Sequence, residues 1–178
     1  MKRWKKWLFG LAALLLVLIA IGFVLPQCQT VERRITTTAT PAQLFPKLAT
    51  LRRWPDWTAW NTNRFPDMTT RFEGSESGAS AIMHARGKSS GNGTVTITRA
   101  EPQEGVWYDL DFESGTQIFH CAITYAPQGN GLAVTWRLEA CLGRNPFKRW
   151  AGLALGSLMG GDLETGLAQL VKQAEGVR

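Results

Sequence analysis

Eighteen consecutive uncharged residues, Leu8 to Leu25 (LFGLAALLLVLIAIGFVL), constrain this chain more than any other feature. As a helix they reach about 27 Å, close to the roughly 30 Å hydrocarbon core of a bilayer. The run has no polar face, so it lacks the boundary by which a core helix of a domain in water meets solvent. Trp4 and Trp7 stand three apart before it, where indoles favour the headgroup level. Lys2, Arg3, Lys5 and Lys6 precede the run, and the first basic residues after it are Arg33 and Arg34. The positive-inside rule therefore leaves a basic amino terminus, residues 1–7, in the cytoplasm. Everything beyond the span lies outside it, in the periplasm if the cell is bacterial. A cleaved signal peptide has a shorter apolar core and a small-x-small site. Here the only candidate, Ala20-Ile21-Gly22, sits inside the run, and lipoprotein processing at Cys28 would meet Gln27 instead of a small residue. A retained anchor over residues 8–25 is favoured over cleavage.

The formal charge of +6 comes from 20 basic and 14 acidic residues. Four basic residues belong to the leader, leaving 16 against 14 for the rest, too even a balance for the positive field of a nucleic-acid binder. At 178 residues the chain has room for the anchor and one domain. Residues 26–30 read as a linker, and the domain is expected over 31–178.

Val31 to Thr38 alternates β-branched and polar residues, a strand. Thr40-Pro41-Ala42-Gln43 starts a helix with a Thr cap, a first-turn proline and a Gln three residues on. Pro55 keeps Leu51 to Asn61 from being one regular helix. From Met68 the period becomes two. Six strands are expected over 68–74, 79–86, 93–101, 106–113, 117–126 and 132–142, separated by Gly-, Ser- and Asn-rich turns. Strands joined by short turns pair antiparallel. Asn145-Pro146 then starts one long final helix, which Gly156, Gly160 and Gly161 should bend midway. The result is an α+β fold, a curved seven-stranded antiparallel sheet gripping a long C-terminal helix, with a transmembrane helix in front.

This order and its local wording resemble the START-like (SRPBCC) superfamily, which has the helix-grip fold, and within it the membrane-anchored polyketide cyclase/dehydrase and lipid-transport branch. The resemblance rests on Val31-Glu32-Arg33, Trp54-Pro55-Asp56-Trp57 with Trp60-Asn61, and Glu73-Gly74 with Glu76-Ser77-Gly78. It continues through Tyr108-Asp109-Leu110-Asp111-Phe112, Val134-Thr135-Trp136, Asn145-Pro146-Phe147 and Asp162-Leu163-Glu164 with Gly166-Leu167-Ala168. It implies binding of apolar or amphipathic small molecules, and it carries no shared catalytic set. Ala85 stands where relatives often have an aromatic residue and Gly161 where many have proline, departures that widen the expected pocket and loosen the expected helix.

The expected site is a cavity between the final helix and the sheet, lined by Trp57, Trp60, Phe72, Met83, Tyr108, Phe119, Tyr125, Trp136, Leu158 and Met159. Trp54 belongs to the same tryptophan cluster. Strand parity turns Tyr108, Leu110 and Phe112 inward and Asp109, Asp111 and Glu113 outward, a solvated face more economically than a cation site. The same parity sends Cys121 in and Cys141 out, which argues against a disulfide between them. His84 and His120 face outward, so triad or dyad catalysis is poorly supplied. No Cys/His metal spacing and no phosphate-binding glycine motif is present, and no cofactor is expected. The expected partners are a hydrophobic small molecule or lipid and the bilayer itself. A second reading is a non-catalytic accessory subunit of a membrane complex, and a third is a cyclase or dehydratase using Tyr108 or Tyr125 as an acid.

Overall fold

In a computed structural model, residues 2–112, 115 and 117–176 are described. The apolar run lies in a 23-residue helix, α1 (Lys2–Val24). It is followed by β1 (Cys28–Thr37), α2 (Pro41–Ala49), a 3-10 turn at Leu51–Arg53 and the short α3 (Trp54–Trp57). Then come β2 (Thr69–Gly74), β3 (Ala81–Gly87), β4 (Gly91–Glu101), β5 (Gly105–Phe112), β6 (Gln117–Gln128) and β7 (Gly131–Cys141), ending in α4 (Pro146–Gly152) and α5 (Leu155–Ala174). The strands form one sheet in the order β1-β7-β6-β5-β4-β3-β2, antiparallel throughout. This is the helix-grip arrangement: a meander closed by the first strand, wrapped about the carboxy-terminal helix.

Alternation sets which side is buried. On β5 and β7, Tyr108, Leu110, Val134, Trp136 and Leu138 are buried, with Arg137 exposed between them. Asp109 and Asp111 face the other way, Asp109 Oδ1 lying 2.8 Å from His120 Nδ1 and Asp111 Oδ1 accepting from Gly115 N–H at 2.6 Å; Glu113 lies outside the described residues. The start of α2 is as expected, with Gln43 Oε1 accepting from the Thr40 N–H and hydroxyl. α5 buries Leu163, Leu167 and Leu170 against the sheet. At Gly166 it comes so close that an added Cβ would sit 2.5 Å from the Trp136 ring.

Three expectations are corrected. β1 begins at Cys28, inside the expected linker, and its first pairing is Cys28 opposite Cys141. The two sulfurs form a disulfide across strands 4.0 Å apart at Cα, while Cys121 stays buried and free. Cys141 faces outward, as its strand parity requires, and its partner lies in the stretch whose sequence reads as linker. The final helix is two helices, because the chain breaks at Leu153–Ala154 and not at the three glycines, which all lie within α5. Gly152 is pressed against Leu142 and Gln29, and the N–H groups of Leu153 and Ala154 turn back to carbonyls only three residues behind. The space beneath α5 is occupied in its middle: Trp57 and Trp136 are each 1% exposed, their rings 5.4 Å apart, so these side chains take up the central part of the volume where the cavity was expected.

Candidate functional site

The internal space lies further along the sheet, against β3, β4 and β5. Ala85 of β3 pairs with Gly93 of β4, and Gly93 pairs in turn with Phe112 of β5. Two adjacent inward positions thus carry almost no side chain, and the sheet is hollowed there. The result is an apolar cavity of about 60 Å³. Met83, Ala85, Gly93, Val95, Tyr108, Leu110, Phe112 and Trp136 wall it on the sheet side. Trp54, Thr58, Trp60 and Met68 close it from the segment after α2, and Ser90 and Gly91 form its rim at the β3–β4 turn.

Several polar atoms in this wall are engaged within the protein. Trp136 Nε1 donates to the Tyr108 hydroxyl at 2.8 Å, Thr58 Oγ1 donates to the Trp60 carbonyl at 3.2 Å, and Trp54 Nε1 donates to the Leu48 carbonyl at 2.9 Å. Trp54 packs edge-on to Tyr108, ring centres 4.8 Å apart. Burial holds the Tyr108 phenol well above its ordinary pKa and raises the Cys121 thiol to about 12. Tyr125, pushed by burial to about 12, donates instead to the Pro102 carbonyl at 2.7 Å. Neither tyrosine has a basic partner among the described residues that would make it a ready proton donor near neutrality.

Of the ten expected lining residues, Trp60, Met83, Tyr108 and Trp136 reach the cavity. Trp57 is in the tryptophan core behind it. Phe119 packs edge-on to Phe112 at 5.6 Å. Phe72 lies under the Arg52 guanidinium, 4.6 Å from ring centre, at a separate surface groove. Tyr125 is held at Pro102, Met159 is half-buried against the core, and Leu158 is 69% exposed. Trp54 and Ala85, which the sequence tied to the pocket without counting them among its lining, also reach it, and Met68, Gly93 and Val95 are residues that sequence reasoning left out. The signal for Gly93 and Val95 was present: across the Ser89–Asn92 turn, Gly93 falls opposite Ala85, and Val95 shares their face.

A family model described as polyketide cyclase / dehydrase and lipid transport matches residues 29–175. The chain belongs to this family, within the START-like superfamily. No curated protein matches it in sequence. Among solved structures it is similar to a Rhodobacter sphaeroides protein (TM-score 0.59, 19% identity, covering 84% of this chain and 94% of that one). It is likewise similar to a Helicobacter pylori protein (TM-score 0.60, 7% identity, 82% and 87%). A Chromobacterium violaceum protein also matches (TM-score 0.54, 15% identity, 83% and 98%). At these identities the family chain and its neighbours share the fold, and the fold alone.

Proposed function

We propose that this chain is a bilayer-tethered domain that binds a hydrophobic or amphipathic small molecule, a lipid or polyketide-like compound, in the cavity beside β3–β5. The observation carrying this reading is a cavity wall that is predominantly apolar, with the Tyr108 hydroxyl, the Thr58 hydroxyl and the Trp54 and Trp136 indoles bonded within the protein. Binding energy there comes from removing apolar ligand surface from water, about 25 cal/mol per Å² before ordering costs. At about 60 Å³ the cavity admits the tip of a chain or ring. Sites for drug-sized ligands run to roughly 300–1,000 Å³. Entry of a whole molecule therefore requires the roof, Trp60 to Met68 and the Ser90–Gly91 turn, to move outward.

Two features support the tether and its orientation: the basic residues lie before the apolar helix, and a disulfide lies directly after it. Disulfides persist in oxidising compartments, which agrees with a domain outside the cytoplasm. To test binding, full-length chain is stripped of lipid in detergent, exposed to a membrane extract and reisolated for mass spectrometry. A retained apolar compound, lost in an Ala85→Phe variant, is the expected result; an empty chain overturns the reading. The accessory-subunit reading is favoured by one observation, the exposed apolar side chains of α4, and co-purification in mild detergent tests it.

A further inference from the structure

α4 is turned inside out for a helix in water. Its one buried long side chain is Arg149, 4% exposed, beside the buried Gly152, while Phe147 and Trp150 are 64% and 37% exposed. Beyond it, Leu153 and Leu158 are also exposed, at 51% and 69%. Arg149 is occupied with α1: its Nη1 donates to the carbonyls of Phe23 at 2.6 Å and Leu25 at 3.0 Å, and its Nε donates to Gly143 at 2.8 Å. A cation thus caps the carboxy-terminal end of the apolar helix, where the dipole favours it. Trp150 Nε1 donates to the Leu18 carbonyl at 2.9 Å, and at Gly22 an added Cβ would stand 2.6 Å from Pro146 Cβ.

These contacts fix the depth of α4. Leu18 lies six residues before the end of α1, about 9 Å along its axis. The apolar window of α1 is Trp7–Val24, so α4 lies alongside the outer part of the span. Between the two helices runs an apolar groove of about 280 Å³, lined by Leu15, Leu18, Ile19, Pro146, Phe147 and Trp150. The twenty residues from Leu142 to Gly161 include no acidic residue, and two of their three basic residues, Arg144 and Lys148, are exposed. Apolar side chains flanked by these exposed basic groups suit the boundary between acyl chains and headgroup phosphates.

We propose that α4 and the start of α5 are a second membrane contact, sunk into the leaflet from which the domain emerges. This rests on the tether reading and adds the orientation of the domain. The register shows what that orientation does. Cys28 pairs with Cys141, Ala140 with Phe119, Gln117 with Phe112, and Phe112 with Gly93. The cavity rim at Gly91–Gly93 therefore lies at the same end of the strands as the anchor, four strand spacings or about 19 Å across the sheet. A domain seated on α4 turns that end toward lipid, and the ligand source is the leaflet itself.

The test uses the full chain in vesicles, with a fluorophore on Leu153→Cys or Leu158→Cys and, as control, on Gln103→Cys at the far strand end, all in a Cys121→Ser background. The three labelled positions are exposed, and unchanged unfolding temperatures check the fold. Lipids brominated in their acyl chains should quench labels 153 and 158 and leave 103 unaffected. If 153 and 158 are not quenched while the chain floats with vesicles and resists carbonate, the tether stands, the seat is overturned, and the face is left to a protein partner. If carbonate releases the chain, the tether reading fails and the seat with it.

Discussion

Gly166 sets the distance between α5 and the indole of Trp136, and neither side can yield, since Trp136 is itself wedged against Trp57. Gly166→Ala is expected to lose about 1–3 kcal/mol in urea unfolding, the usual cost of overpacking a filled core. Ala85→Phe should behave in the opposite sense, because it adds a ring where the wall is hollow; stability holds or rises while ligand retention falls. Glu175 offers a third test. Its carboxylate accepts from Thr37 Oγ1, Thr38 N–H and Thr38 Oγ1, tying the end of α5 to the end of β1, and these bonds hold its pKa below the ordinary value. A depressed folded pKa means the unfolded chain binds the proton more readily. The contribution is therefore complete above the unfolded value, roughly 4.3, and disappears as pH falls through the folded one. Glu175→Gln should be less stable than the parent at neutral pH, with the difference vanishing in acid, as read by unfolding at a series of pH values.

Among the elements, β1 depends most on a single covalent bond. It is an edge strand, and the disulfide joins its first residue to a partner 113 positions away. Replacing both Cys28 and Cys141 with serine should cost about 2–4 kcal/mol, measurable by unfolding with and without reductant. The strands of the meander were legible in the sequence because each buries one face, and alternation records that directly. The beginning of β1 was not. Cys28-Gln29-Thr30 follows a proline and an apolar run, and nothing local announces a partner more than a hundred residues on. The break in the last helix escaped for a related reason: Gly152 matters through Leu142 and Gln29, which no helical period contains. The cavity was half legible. Inward parity found Met83, Tyr108 and Trp136, but the void itself comes from two small residues meeting across a hairpin, a matter of register.

At the scale of the whole molecule, the proposed topology makes a direct forecast. In intact cells with the outer barrier opened, added protease should reach the domain while a tag on the amino terminus stays protected; the reverse pattern would invert the orientation. Only Leu25, Pro26 and Gln27 separate α1 from β1, and Arg149 grips carbonyls on both sides of Val24. α1 and the domain therefore move as one body. In the proposed tether, any tug transmitted through α1 arrives at the tip of an edge strand, the place where a sheet unzips most easily, one rung at a time. The sulfur bridge sits at that first rung. It acts as a rivet, so that tension runs into two strands together and a domain dragged sideways by its root keeps its seam closed.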